Sequence, residues 1–392
     1  MNTSNAKKRI LIFSTAYYPF VAGAEVSIKE ITDRLSSDFD FDLITARLQS
    51  NLPDKERIGQ VNVYRVGVGI PTFDKLILPF LGAILVWRLQ RRNNYFCMWG
   101  VMATFASGAG YVSNLFRRFL GKKKIPMVLS LQEGDSESHL KYRWGGLIGL
   151  SWKLALANTD ILTALSNFLL DRAKKNGFKG QMFLVPNGVD LDLFTKEIDI
   201  STREDFKNKL GKKSGDVYLV TSSRLMYKNA VDDIISALVN LPKNVSLIVL
   251  GKGDLGPSLQ RQADSLGVAD RVKFLGFIPH ADLPKYLSVC DIFIRPSRSE
   301  GFGNSFIEAM ALKIPVIATP VGGIPDFLDD KETGVFCSPD NPQSIVLAVN
   351  TILNNDDIRD RIIKKAFDRV VERYGWEDIS MKMREVFHKL EK

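Results

Sequence analysis

The sequence predicts an α/β protein made of two doubly wound domains in tandem, and three observations carry the prediction. Its 392 residues exceed a single domain at a norm of roughly 150 residues. Short β-rich runs alternate with helical patterns almost from end to end, the order of a parallel sheet covered by helices on both faces. At Pro186-Asn187-Gly188 the alternation stops, and it resumes only after a polar, charged stretch that reaches Lys213 and holds at most a short helix.

In chain order, residues 9–15 read as a strand, 24–35 as a helix, 41–45 and 61–66 as strands, and 76–92 as an amphipathic helix. Strands at 95–100, 126–131 and 160–164 follow, with helical segments between them. Past the break, strands at 217–222, 245–250, 272–275, 291–295 and 315–318 are each followed by a helical segment, and residues 356–392 read as helical throughout. In such a fold the ligand belongs at the strand carboxyl ends, facing the cleft between the domains.

Composition narrows the function. With 45% hydrophobic and 25% charged residues the chain is neither disordered nor fibrous. Cys97, Cys290 and Cys337 are far apart and outside any C-x-x-C pair, which argues against a disulfide scaffold or a zinc cage. Net charge is +9, and residues 1–190 hold 25 Lys+Arg against 15 Asp+Glu, leaving 28 against 29 for the rest. The basic excess therefore lies in the first half, which should meet something anionic: a nucleic acid, a phosphorylated substrate or a membrane surface. The longest apolar run, residues 76–87, has 12 residues and contains Pro79, short of the roughly 20 that span a bilayer. A signal-peptide reading of the N-terminus fails because Ser14, Thr15, Tyr17, Tyr18 and Pro19 break its apolar stretch, so a cytoplasmic protein is expected.

The strongest constellation is Glu300-Gly301-Phe302-Gly303-Asn304-Ser305-Phe306-Ile307-Glu308, directly after a strand. Its glycines let backbone approach a ligand, and the helix opening near Asn304 aims amides at an anion, a seat for phosphate. Glu308 is the only charge in residues 306–312 and needs a partner if buried; the vicinal hydroxyls of a ribose would serve. The alternative has Glu300 solvated in a loop and Glu308 in an internal ion pair. Arg224 and Lys228, four residues apart after the strand 217–222, can converge on one pyrophosphate, or remain solvated on a helix face.

Gly251-Lys252-Gly253-Asp254-Leu255-Gly256 fits G-x-G-x-x-G and raises an NAD-dependent oxidoreductase as a rival. The next strand, however, ends in Gly276-Phe277 without the acidic residue such a site wants, so these glycines read as a tight strand-to-helix turn near phosphates. Asp38-Phe39-Asp40-Phe41-Asp42 and Asp190-Leu191-Asp192 imitate D-x-D metal signatures but read as solvated turn and strand-edge residues, and no metal is expected. His139, His280 and His388 sit in unrelated settings and build no Ser-His-Asp arrangement.

These residues resemble a known family. Glu300 to Glu308, with Pro296-Ser297-Arg298 before and Ala309-Met310-Ala311 and Pro315-Val316-Ile317-Ala318 after, are similar to the donor-site signature of the family 4 retaining glycosyltransferases of the GT-B fold. Tyr18 to Glu25 resembles their N-terminal glycine loop, Pro186 to Asp190 their interdomain linker, Ser223-Arg224-Leu225 with Lys228 their phosphate-binding pair, and Trp376 the start of their last helix. Gly322-Gly323 and Thr333-Gly334 fall at further family loops. The resemblance implies two Rossmann-like domains: 1–188 on the acceptor side, completed by a C-terminal helix at about 376–392, and 189–375 binding the nucleotide-sugar.

It also implies roles. Arg224 and Lys228 would hold the diphosphate and Glu308 the ribose; Glu300 and the amides of Phe302 and Gly303, with Gly301, Asn304 and Ser305 around them, would hold the donor sugar. Gly23 would close over the phosphates, Gly251 would lie near them, and backbone at Phe277 and Ile278 would frame the base. The expected chemistry is hexosyl transfer with retention, no cofactor and no metal, from a UDP- or GDP-type sugar to a sugar or lipid-linked acceptor. Three departures stand out: Ala22 replaces the first glycine of the usual pair, Lys313 a common glycine, and Gln132-Glu133-Gly134-Asp135 stands where many members carry a histidine. Glu133, Asp135 and His139 are the acceptor-side candidates, with capping of the following segment as the alternative for the two carboxylates.

Within this fold a sugar-nucleotide epimerase or hydrolase, or a binding protein without turnover, are the rivals. The basic half adds one expectation, an anionic membrane surface as partner, with the enzyme peripheral on the inner face. Residues 76–92 and the cluster Arg117, Arg118, Lys122, Lys123 and Lys124 would carry it, unless 76–87 simply packs in the core. Nucleic acid is not expected, because the aromatics do not interleave with the basic clusters.

Overall fold

In the computed structural model, which describes residues 7–135 and 147–391, the chain divides into two units: residues 1–187 with 376–392, and residues 188–375. The first unit runs β1 (Lys8–Phe13), α1 (Gly23–Arg34), β2 (Phe39–Ala46), β3 (Lys55–Ile58), β4 (Val61–Val66), α2 (Pro71–Leu89), β5 (Tyr95–Val101), α3 (Ser107–Phe119), β6 (Met127–Leu131), α4 (Leu147–Ala157), β7 (Ile161–Ala164), α5 (Asn167–Lys175) and β8 (Gln181–Leu184). Its eight strands lie in the order β3-β4-β2-β1-β5-β6-β7-β8. All neighbours are parallel except β3, which pairs back antiparallel onto β4. The alternation pattern does not reveal this polar edge strand, because only a two-residue turn at Gly59-Gln60 separates it from β4.

The unit's core follows from the period-2 pattern of β1. Ile10 and Ile12 face Ile28 and Ile31 of α1, while Leu11 and Phe13 face Leu78 and Val86 of α2 and Ala109 of α3. Both faces are thus covered, the condition for an all-apolar parallel strand.

The second unit runs α6 (Leu191–Phe194), α7 (Ile200–Leu210), β9 (Val217–Ser222), α8 (Val231–Leu238), β10 (Val245–Leu250), α9 (Gly256–Ser265), β11 (Val272–Gly276), α10 (Leu283–Leu287), β12 (Ile292–Arg295), α11 (Asn304–Ala311), β13 (Val316–Ala318), β14 (Val335–Phe336), α12 (Pro342–Leu353) and α13 (Asp356–Arg373). Its six strands are all parallel, in the order β11-β10-β9-β12-β13-β14. Leu219, Val249 and Ile294 pack against Ile234 and Leu238 of α8 and Ile345 and Val349 of α12. On the other face Phe293, Phe306 and Phe327 stack at 5.5 and 5.7 Å between ring centroids.

Two expectations about helices are corrected. The linker stretch carries α7, an eleven-residue helix, started by Asp199 accepting from Thr202 N at 2.8 Å and stopped by Gly211 at φ 67°. It buries only Leu210, so it has no apolar periodicity to read. The C-terminal tail is not one helix: α13 ends before Tyr374-Gly375, and α14 (Trp376–His388) then joins the first unit. There Phe387 lies edge-on to Phe39 and Trp99, and Arg34 pairs with Glu377 at 2.8 Å.

The first D-x-D signature is also corrected. Asp42 is not solvated but fully buried, because β2 lies between β1 and β4. Tyr95 OH (2.6 Å), Asn62 Nδ2 (2.9 Å) and Arg9 (3.4 Å) supply the partners a buried carboxylate needs. Asp190 behaves as a turn residue, accepting from Leu193 N at the start of α6.

Candidate active site

A doubly wound sheet opens a crevice where its strand order reverses. In the second unit that point lies between β9 and β12, since β10 and β11 lie to one side and β13 and β14 to the other. Arg224 and Lys228 follow β9, and Glu300 follows β12. All strands being parallel, these loops emerge from one edge, together with Gly251 after β10 and Phe277 and Ile278 after β11.

The Arg224 loop is held tightly. Asn229 Nδ2 donates to Arg224 O at 2.6 Å, and Leu225 N to Lys252 O at 3.0 Å. Gly251 allows the glycine loop to back onto it: at φ 148°, a Cβ there would lie 1.9 Å from Ser223 O. The G-x-G-x-x-G run thus buttresses the Arg224 loop. Arg224 is exposed and Lys228 half-buried.

Arg298 anchors the Lys228 turn. Its Nη1 donates to Tyr227 O at 2.7 Å and its backbone N to Lys228 O at 2.8 Å. The guanidinium also forks onto Asp232 (2.9 Å twice), reaches Asp233 (3.0 Å) and pairs with Asp340. Burial pushes the Asp233 carboxyl up to about 6 although the Arg298 cation pulls it down.

Glu300 is not a freely solvated loop residue. Its Oε2 accepts from Arg295 Nη2 at 2.6 Å and its Oε1 from Gly301 N at 3.0 Å, while Arg295 Nη1 donates to Ser305 Oγ at 2.8 Å. Arg295, buried at the end of β12 and 4.3 Å from the Phe306 ring centroid, thereby joins Glu300 and Ser305. Gly303 starts α11 at φ 100°, where a Cβ would meet Phe306 at 2.5 Å. Phe302 turns its ring into the core against Phe327 and Tyr374, so only its backbone serves the loop surface.

Glu308, buried on α11 as expected of a lone charge in an apolar stretch, has a partner: His280 Nε2 at 3.0 Å. The His280 ring stands 5.1 Å from that of Phe194. His280 is therefore not in an unrelated setting but part of the Glu308 environment, and the contact is a hydrogen bond that becomes the ion pair of the alternative reading when the imidazole is protonated. Phe277 leaves its ring 67% exposed at the end of β11.

The remaining candidates lie in the first unit. Gly23 is the first residue of α1, whose Glu25 accepts from Ala22 N at 2.8 Å. Glu133 follows β6 and is buried, with Ala103 N on Oε1 and Gln132 N on Oε2 at 3.1 Å, so it braces the loop after β5. Burial raises its pKa, against the pull of those N–H groups. Asp135 is half-buried nearby, and His139 lies outside the described residues.

Three site residues escaped sequence reading: Arg295, Arg298 and His280. Arg295 left a signal, a charge closing the otherwise apolar strand Ile292–Arg295, which must find a partner when buried. Arg298 lies within the quoted Pro296-Ser297-Arg298, but its distant carboxylate partners leave no local pattern, and nothing in the spacing couples His280 to Glu308.

Comparison with known proteins shows the family and the fold. The sequence model for "Glycosyl transferases group 1" matches residues 202–369, and that for "Glycosyltransferase Family 4" matches residues 21–193. An uncharacterised glycosyltransferase of Methanocaldococcus jannaschii is 25% identical over 95% of this chain and 96% of its own. The GDP-mannose-dependent alpha-(1-6)-phosphatidylinositol monomannoside mannosyltransferase of Mycolicibacterium smegmatis is 32% identical over 50% of this chain and 53% of its own. The alpha-monoglucosyldiacylglycerol synthase of Acholeplasma laidlawii is 24% identical over 91% of each. Among solved structures, sucrose-phosphate synthase of Thermosynechococcus elongatus superposes with a TM-score of 0.82 at 20% identity, covering 98% of this chain and 99% of its own. Anabaena HepE, in complex with UDP and glucose, gives 0.78 at 20% identity, covering 97% and 100%. With both units matched and the fold shared, the chain belongs to the family 4 glycosyltransferases of the GT-B fold.

Proposed function

We propose that this chain is a retaining, metal-independent hexosyltransferase. It moves a sugar from a nucleotide diphospho-sugar of UDP or GDP type to a hydroxyl of a sugar or lipid-linked acceptor, in polysaccharide, glycolipid or cell-envelope glycan synthesis. The observation that carries this reading is the meeting of the Arg224–Lys228 loop and the Glu300–Glu308 segment at the switch point of one parallel sheet. The lipid-linked acceptor is supported by relatives whose names carry phosphatidylinositol monomannoside and monoglucosyldiacylglycerol.

Arg224 and Lys228 take the diphosphate and stabilise the charge that grows on it as the glycosidic bond breaks, the part a divalent cation plays elsewhere. Glu308 accepts from the ribose hydroxyls, sharing or exchanging its His280 contact. Glu300, oriented by Arg295, and the N–H groups of Phe302 and Gly303 position the sugar hydroxyls. The exposed Phe277 ring beside Ile278 offers a face to the base. The proposed location is cytoplasmic.

The test is a thermal-shift panel of uridine, guanosine and adenosine diphospho-sugars, since a specific ligand stabilises the fold by mass action. Product analysis with the stabilising donor follows, in excess chelator. A glycoside of the donor's own anomeric configuration is expected. An inverted product, free sugar, an epimer, or activity that returns only with magnesium or manganese would each refute the corresponding part of the reading.

A further inference from the structure

From Lys75 to Gln132 the chain carries nine lysines and arginines and no aspartate or glutamate. This stretch builds most of α2 and all of α3, which pack side by side on one face of the first sheet. One side of α2 is core: Leu78, Ala83, Val86 and Leu89 are buried. Its opposite side is apolar as well, with Phe73, Leu76, Phe80, Ile84 and Trp87 exposed at spacings of three and four residues. Core packing therefore explains Leu78, Gly82, Ala83 and Val86 of 76–87 and leaves Leu76, Phe80, Leu81, Ile84 and Trp87 facing outward. The end of α3 adds Leu115, Phe116, Phe119 and Leu120, with Phe119 77% exposed.

The basic residues rim this surface. Arg88, Arg91 and Arg92 lie at the end of α2, and Arg118, Lys122 and Lys123 at and beyond the end of α3, all exposed. Two groups far apart in sequence form one patch, because Arg117 donates to Gln90 Oε1 at 2.7 Å and to Lys123 O at 2.8 Å. Arg91 lies 3.6 Å above the exposed Trp87 ring, joining the cationic rim to the apolar stripe. Asp74, the single acid of the two helices, is fully buried and accepts from the N–H groups of Val68, Gly69 and Ile70, so it neutralises nothing outside.

We propose that this face of α2 and α3 seats the protein on an anionic lipid bilayer. The apolar stripe enters the interface, and the arginines and lysines meet the headgroup phosphates. The mode is interfacial, since no helix of the described residues is long and apolar enough to cross a membrane. A second copy is a poorer occupant, because a two-fold contact would press the acid-free basic rim against itself. The inference goes beyond the transferase reading and stands apart from it, for binding is measured without donor or acceptor.

The experiment is co-sedimentation of the full chain with vesicles of phosphatidylcholine, with and without phosphatidylglycerol, at low and high salt. Binding is expected to anionic vesicles, weakened by salt. Replacing Arg91, Arg92, Arg118, Lys122 and Lys123 by glutamine should weaken it by about a hundredfold or more. Phe80→Ser with Phe119→Ser should remove the binding that survives high salt. A further measurement needs only a mild variant: brominated acyl chains should quench tryptophan emission, and Trp87→Phe should abolish the larger part of that quenching. No binding to anionic vesicles at low salt, binding unaffected by both surface variants, or a concentration-dependent dimer lost in the phenylalanine variant without any vesicle binding would each overturn the proposal.

Discussion

Three carboxylates of the first unit and three of the second are held in two different ways, while Asp42, inside the first sheet, keeps the side-chain partners Tyr95, Asn62 and Arg9. In the first, Glu25, Asp74 and Glu133 accept from backbone N–H groups, of Ala22, of residues 68–70, and of Ala103 and Gln132. In the second, Asp233, Glu300 and Glu308 meet the side chains of Arg298, Arg295 and His280, with Gly301 N a further donor to Glu300. A carboxylate bound to backbone braces a loop, and releasing it strands buried amides. A carboxylate bound to a mobile side chain exchanges that partner for a ligand at lower cost, because both groups can reorient. Under the proposed function, bracing falls to the first set and ligand exchange to part of the second.

Four substitutions break or sharpen that contrast, and the largest expected effect belongs to the cation proposed to act on the transition state. Lys228→Ala should lower kcat by about 10²–10³ with a smaller change in donor affinity. Steady-state kinetics alongside calorimetry separates the two, and a preserved rate at saturating donor would mean that Lys228 only binds. Next comes Arg298→Ala, which strands Asp232 and Asp233 and frees the Lys228 turn. A loss of about 3 kcal/mol, at the low end for removing one partner of a buried pair, should appear in denaturant unfolding together with weakened donor binding.

Glu308→Ala should cost donor binding about 1.5–3 kcal/mol, the worth of hydrogen bonds to a charged group. Calorimetry on the folded variant checks it, and unchanged affinity would remove Glu308 from the site. The smallest effect on ligand is expected at Glu133→Gln. The amide accepts one of the two N–H groups and turns its own NH₂ toward the other, so stability should fall by about 1–3 kcal/mol with donor affinity intact. This variant also carries a pH signature. Because the folded pKa of Glu133 is raised, the native state binds the extra proton, and wild-type stability should decline as pH climbs from the unfolded carboxyl value of about 4.3 toward the folded one. Glu133→Gln should lack that slope, and matching slopes in the two proteins would show that Glu133 does not titrate there.

Much of this is legible in the residues alone. The α/β class rested on period-2 apolar runs alternating with helical ones, and local physics is enough for that: a strand such as Ile10–Phe13 has one way to hide four apolar side chains, a sheet covered on both sides. Glu308 drew attention as a lone charge among apolar neighbours, and desolvation cost alone demands a partner for it. What the residues could not state was which partner. His280 to Glu308, Arg298 to Asp232 and Arg117 to Gln90 are pairings across 28, 66 and 27 residues. Such separations carry no periodicity, and strand order alone brings them together. The same holds for Asp42, solvated by its local pattern and buried because β4 lies outside β2. It holds as well for α2, whose composition announced an apolar helix but whose second, outward stripe became visible only once the sheet had taken the first. Local chemistry sets which groups must be buried, paired or turned tightly; long-range topology decides with what, because contact across the chain is a property of the folded arrangement and not of spacing.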